Sequence, residues 1–215
     1  GNLYLNLEQY DKAELDYTKA IELDPTYHFA YFNRGYLYDE LEKYDKAEED
    51  LTKAIELDSK NPDPYFNRGL IYFNLKQYDK AELDYNKVIE LDPRNPFAYN
   101  NRGNLYDDLE QYDKANLDYT KAIELDPKDL NSYYNRARLY ADLKQYDKAE
   151  LDYNQAIKID DKDPAAYYKR AVLYCELEQY DKAELDLNKA IEVAPKIIDG
   201  YFFRAKFYIK LNKYE

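Results

Sequence analysis

The sequence predicts an all-α solenoid, a stack of antiparallel helix pairs. Three observations predict it. One motif recurs every 34 residues: Gly1, Gly35, Gly69 and Gly103 form a column that Ala137, Ala171 and Ala205 continue. Three residues on in each copy stands Tyr4, Tyr38, Tyr72, Tyr106, Tyr140, Tyr174 or Tyr208. Within each copy, apolar residues return at three- and four-residue steps in two stretches, the mark of two helices. Prolines punctuate the copies, where they cannot continue a helix. A sustained period of this length means units that cannot bury their apolar faces alone and must stack.

Residues 62–95 show the elements in order. Pro62 opens the first helix, where its missing N–H costs little, and Pro96 and Pro164 do the same in their copies. Tyr65, Arg68, Gly69, Tyr72 and Leu75 lie on one face of that helix. A turn follows at Gln77 and Tyr78. Asp79 with Glu82 reads as a capping box opening the second helix, repeated at Asp11/Glu14, Asp45/Glu48, Asp147/Glu150 and Asp181/Glu184 and broken by Asn116. Ala81, Tyr85, Val88 and Ile89 form the second helix's apolar face, which ends near Asp92-Pro93. The Gly/Ala column is expected to face a second small column, Ala13, Ala47, Ala81, Ala115, Ala149 and Ala183, so that the two helices approach closely. The tyrosines and Leu7, Leu41, Leu75, Leu109, Leu143, Leu177 and Leu211 would fill the space around that contact.

These residues resemble the tetratricopeptide repeat. The carriers are the Gly/Ala column, the tyrosines, the alanine column, a further column at Ala20, Ala54, Ala122, Ala156 and Ala190, and the closing prolines Pro25, Pro93, Pro127 and Pro195. The resemblance covers the whole chain. The register gives one array over 1–215: a first repeat at 1–27 without its opening residues, full repeats at 28–61, 62–95, 96–129, 130–163 and 164–197, and a last helix at 198–215. The resemblance implies a right-handed superhelix with the first helices lining its concave side. There are departures. Tyr31, Tyr65, Tyr99, Tyr133, Tyr167 and Tyr201 stand where the family often has tryptophan. Glu8, Glu42, Lys76, Glu110, Lys144 and Glu178 replace a common turn glycine, and Ser59 and Asp161 replace the closing proline.

Composition narrows the function. Acidic residues outnumber basic ones 44 to 31 in this chain of 215, for a net charge of −13. Nucleic-acid binders need clustered Lys and Arg, so no nucleic-acid or membrane partner is expected. Cys175 and His28 are the only residues of their types. No Cys/His pair, zinc spacing or Gly-rich phosphate loop exists. Hence no cofactor, no metal and no enzymatic activity are expected. Beginning at Gly1, part-way through a repeat, the sequence reads as a fragment, with the cytoplasm as its expected location.

Two sets of polar columns bear on function. Arg34, Arg68, Arg102, Arg136, Arg170 and Arg204 match Asp16, Asp50, Asp84, Asp118, Asp152 and Asp186 in number. Equal copy number points to structural ion pairs, within a repeat or across a junction, rather than to an anion ladder. The second set varies between repeats while the packing columns barely change. If the family's concave side is right, it holds Phe32, Tyr36, Asp39, Glu40, Phe66, Leu70, Phe73, Asn100, Asn104, Asp107, Asp108, Tyr134, Asn135, Arg138, Asp142, Tyr168 and Lys169. Carboxylates draw cationic partners, and aromatic rings supply burial and faces for Arg or Lys. The expected partner is a protein or peptide segment with basic and apolar residues, bound across 28–197. Two alternatives stand beside it. One is a structural spacer that self-associates end to end through cut repeat faces. The other is the family's carboxylate clamp, matched at Asn104, Asn135 and Lys169 but with Asn100 and Ala165 in place of its lysines.

Overall fold

A computed structural model describes residues 9–211, so Gly1, Tyr4, Leu7 and Glu8 lie outside the described residues. Helices are the only regular elements among the described residues, twelve in all. The chain divides into two compact units, residues 1–109 and 110–215. The first holds α1 (Tyr10–Leu23), α2 (His28–Glu40), α3 (Tyr44–Leu57), α4 (Pro62–Asn74), α5 (Tyr78–Leu91) and α6 (Pro96–Asp108). The second holds α7 (Tyr112–Leu125), α8 (Leu130–Asp142), α9 (Tyr146–Ile159), α10 (Pro164–Glu176), α11 (Tyr180–Val193) and α12 (Ile198–Lys210). In the first unit each helix packs on the next, and α2 touches α4 as α4 touches α6. The second unit repeats this from α7 to α12, with α8 against α10 and α10 against α12.

The start of the second helices corrects the capping-box reading. These helices begin at Tyr10, Tyr44, Tyr78, Tyr146 and Tyr180, two residues before the start an aspartate cap would give, after Gln or Lys residues whose side chains make no cap bond. Asp11, Asp45, Asp79, Asp147 and Asp181 therefore sit inside the first turn, where they favour the positive helix end. The glutamates of the supposed boxes reach elsewhere. Glu14, Glu48 and Glu82 accept from the hydroxyls of Tyr38, Tyr72 and Tyr106 at 2.8, 2.7 and 2.7 Å. In the second unit Glu150 and Glu184 accept from Tyr174 and Tyr208 at 2.7 and 2.6 Å. Each bond ties a second helix to the following first helix. Asn116, one methylene shorter than glutamate, leaves its Oδ1 buried without a partner.

The true side-chain caps lie on the first helices. Asn61 accepts from the Asp63 amide, Asn95 from Ala98, Asp129 from Asn131 and Ser132, and Asp163 from Ala165. Pro62, Pro96 and Pro164 follow three of these caps at the first helical position, which suits proline.

The turns between paired helices are tight. Glu42 and Lys76 in the first unit, and Glu110, Lys144 and Glu178 in the second, have φ of 56–57°. At the end of α4 the Lys76 amide bonds Phe73 O at 2.9 Å and the Gln77 amide bonds Tyr72 O at 2.8 Å. This double closure is the Schellman pattern, which favours glycine at the left-handed residue. A side chain there costs about 1 kcal/mol, offset by the two captured carbonyls.

The nearest neighbours of the glycine column are not the alanines but the side chains one turn beyond them. A Cβ on Gly69 would lie 2.8 Å from Cε1 of Tyr85, and one on Gly35 would lie 2.9 Å from Cγ of Leu51. Helical side chains lean toward the helix N-terminus, so Tyr85 and Leu51 cover the crossing while Ala81 and Ala47 lie buried one turn earlier. Both Tyr85 and Leu51 are wholly buried, so neither has room to yield. Gly69→Leu is accordingly expected to destabilise the fold by about 2 kcal/mol or more through overpacking, read by urea unfolding. A near-neutral result would misplace the contact.

Candidate functional site

The arginines are held, not offered. In the first unit Arg34 grips Asp50 through Nε and Nη2 at 2.7 and 2.8 Å, and its Nη1 donates to Thr18 at 3.0 Å. Arg68 repeats this with Asp84 at 2.8 and 2.8 Å and Thr52 at 2.9 Å. In the second unit Arg136 holds Asp152 at 2.8 and 2.8 Å and Thr120 at 2.9 Å. Arg170 holds Asp186 at 2.7 and 2.6 Å and also bonds Asn154. The ion pair thus lies within a repeat, and the third bond crosses to the preceding one. Buried carboxylates beside the fork give the bidentate geometry that makes such pairs strong. The hydrogen bond to Asp50 raises the pKa of Arg34; at Arg68, Arg136 and Arg170 burial opposes the charge, but the bonds to the aspartates and their charge outweigh it and the pKa is again raised. 

Helices α2, α4 and α6 run parallel at a 34-residue register, so equivalent side chains form rows across the first unit. The first row is Phe32, Phe66 and Asn100. Phe32 packs against the buried cluster of Tyr38, Ala47, Leu51 and Ile71, Phe66 lies 6.2 Å from the Tyr85 ring, and Asn100 is buried. The second row is Tyr36, Leu70 and Asn104, with Tyr36 exposed and the other two half-buried. The third row carries Asp39 and Glu40, then Phe73, then Asp107 and Asp108. Glu40 and Asp108 are exposed, whereas Asp107 is buried. Phe73 lies 5.9 Å from the Tyr78 ring, and the Tyr78 hydroxyl donates to Asp108 at 3.1 Å. A hydrogen bond to Glu40 raises the Tyr36 pKa, and burial raises that of Asp39, with Glu40 adding to it.

The second unit places its residues differently. Tyr134 on α8 is buried, and its hydroxyl donates to Asp163, the residue that caps α10. Burial, then that bond, raises its pKa. Lys169 lies 5.4 Å from the Tyr134 ring centre and 5.9 Å from that of Tyr168. Burial, then the charge of Arg138, lowers its pKa. Arg138 reaches Asp142 at 3.8 Å, Asn135 is half-buried on the same helix, and Tyr168 stacks on Phe203 with centres 5.1 Å apart. Of the clamp residues, Asn135 and Lys169 share this unit, and Asn104 belongs to the other.

Sequence reasoning missed Tyr78, Asp163 and Phe203 as parts of these surfaces. Asp163 was legible as the polar residue before Pro164; the ring contacts of Tyr78 and Phe203 had no sequence signal. Among the described residues no group of three His, Cys, Asp or Glu side chains is placed to hold a metal, and no helix is long and apolar enough to cross a membrane.

The tetratricopeptide repeat matches at residues 1–27, 28–61, 62–95, 96–129 and 164–197, and related repeat forms match at 118–150 and 137–176. The chain belongs to the tetratricopeptide repeat (TPR) family. None of the curated proteins matches it. Among solved structures, a TPR protein from Parabacteroides merdae is 25% identical, with TM-score 0.81 over 98% of this chain and 83% of its own. YrrB, a TPR protein with an unusual peptide-binding site, is 25% identical, with TM-score 0.64 over 88% of this chain and 97% of its own. MamA is 24% identical, with TM-score 0.70 over 75% and 95% of the two chains. In the TPR framework seen here, the tyrosine–glutamate bonds join successive repeats and make stability sensitive to alkali. Burial, then the glutamate bond, pushes Tyr38 and Tyr174 up to about 12 from 10.0. The folded state keeps these protons longer than the unfolded chain, so their contribution is complete below pH 10 and lost as pH rises toward 12. Urea unfolding is expected to show stability steady from pH 8 to about 9.5 and falling steeply above pH 10. Constant stability up to pH 12 would contradict it.

Proposed function

We propose that this TPR protein is an interaction scaffold whose first unit holds a peptide or protein segment with basic and apolar residues along α2, α4 and α6. TPR proteins bind proteins or peptides, and the fold is generally non-enzymatic. The observation that carries the reading is the pairing of exposed carboxylates with rings at the ends of these helices. Glu40 stands beside Tyr36, and Asp108 closes the Phe73–Tyr78 contact. Carboxylates beside rings suit an Arg or Lys side chain, which gains charge attraction and a π-face together. Leu70, half-buried between these ends, offers the apolar contact. The likeness to YrrB, with its peptide-binding site, supports the same use, and the net charge of −13 favours a cationic partner. The proposed setting is the cytoplasm, where the single thiol of Cys175 stays reduced.

A second reading, self-association through α12, is favoured by one observation. Ile198, Ile209 and Phe202 are 81%, 61% and 52% exposed, and Ala205 is exposed where its equivalents Ala137 and Ala171 are buried. Sedimentation as a monomer at high concentration would remove it.

The first reading is tested with a fluorescein-labelled peptide of alternating Lys and Leu. Asp107 is buried, so charge reversal belongs at Glu40 and Asp108. Glu40→Lys with Asp108→Lys is expected to slow association about tenfold at low salt, less at high salt. Phe73→Ala is expected to speed dissociation several-fold. Binding that neither variant changes would overturn the reading.

A further inference from the structure

We propose that the second unit carries a separate site, an apolar cavity between α10 and α12 that takes one leucine-sized side chain of an acidic peptide, with Lys206 holding the neighbouring carboxylate. The cavity has a volume of about 160 Å³ and is walled by Ala171, Val172, Cys175, Leu187, Phe203 and Phe207, with Lys206 at its edge. Its origin is a substitution in an internal column. Tyr17, Tyr85, Tyr119 and Tyr153 fill the space between helices in their repeats, and Leu187 stands at the same position in its own. The missing ring leaves room beneath Val172. Leu51 makes the same exchange in the first unit, but there the position equivalent to Val172 is Tyr36, and a larger side chain stands over the space. A space of about 150 Å³ accepts a benzene-sized group, so this pocket, open at the surface beside Val172 and Lys206, has room for a single aliphatic side chain.

Charge around the cavity selects the partner's sign. Lys206 lies 4.4 Å from the Phe202 ring centre and is exposed. Arg138 stands at the equivalent position of α8, and Lys169 lies one turn before Val172 on α10. Against these three cations stand Asp142, which Arg138 already engages, Asp163, which Tyr134 engages, and Glu176, exposed at the end of α10. These three cations and three carboxylates balance over the face as a whole, so the choice of a carboxylate rests on Lys206, the one charged side chain that lines the cavity itself.

The test uses two fluorescein-labelled peptides, Gly-Glu-Glu-Leu-Glu-Glu-Gly and the same chain with Gly for Leu. Fluorescence anisotropy is expected to show the Leu peptide binding at least tenfold more tightly, and that peptide should slow alkylation of Cys175 by iodoacetamide. Leu187→Tyr restores the ring that faces Ala137 from Tyr153 in the neighbouring repeat, so it fills the cavity with a residue the fold accepts. It is expected to abolish the preference for Leu. Lys206→Glu should weaken both peptides about fivefold. Glu40→Lys with Asp108→Lys should leave the preference intact, which separates this site from that of the first unit. Equal affinity for the two peptides, no binding of either, or a preference that survives Leu187→Tyr would overturn the proposal.

Discussion

A recurring arginine gripped from two sides, at Arg34, Arg68, Arg136 and Arg170, is the constraint on which the rest of the structure depends. Arg68 leaves α4, closes a two-bond fork on Asp84 of α5 and extends one more bond to Thr52 of α3. Three helices meet at one guanidinium. A buried charge is tolerable only when its hydrogen-bonding capacity is satisfied, and this geometry satisfies it with groups that recur in register. The third acceptor is Thr18, Thr52 or Thr120 in some repeats and Asn86, Asn154 or Asn188 in others. Both side chains present an oxygen at the required place, so the column tolerates the exchange.

The same register decides what remains for binding. The arginines, the tyrosine–glutamate bonds and the glycine crossings hold the first helices parallel within each unit. Side chains free of those duties then form rows. In the first unit the rows end in exposed carboxylates beside Tyr36 and Phe73. In the second, the exchange of a tyrosine for Leu187 opens a cavity under a cationic edge. The two faces thus differ in chemistry although their frames are alike, because a few positions carry no packing duty and vary freely.

Much of the fold was legible in the sequence because repetition amplifies weak local signals. A tyrosine three residues after a glycine says little once; repeated at a fixed period, it defines a stack. The helix pairs, the proline punctuation and the structural use of the arginines follow from that. The failures share a cause. Asp79 and Glu82 have capping-box spacing, but the turn residue Lys76 at φ 57° brings the chain into the helix two residues early. Gly69 and Ala81 are both small, but a side chain's lean decides what it meets, and the ring of Tyr85 arrives first. The candidate surface was legible as a set of variable columns. Which members are free was not, since Asp107 and Tyr134 have the composition of binding residues and the burial of core ones. The cavity at Leu187 could not be read either, because it is a missing volume between helices distant in sequence.

The measurement that bears most directly on this account is a double-mutant cycle across a repeat junction, Arg68→Leu with Thr52→Val, followed by urea unfolding. If the arginine ties each repeat to the one before it, the two substitutions should be coupled by about 1.5 kcal/mol, the scale of a hydrogen bond to a charged group. Additivity within about 0.3 kcal/mol would show that the junction is held by apolar packing alone and that the arginine serves only its own repeat.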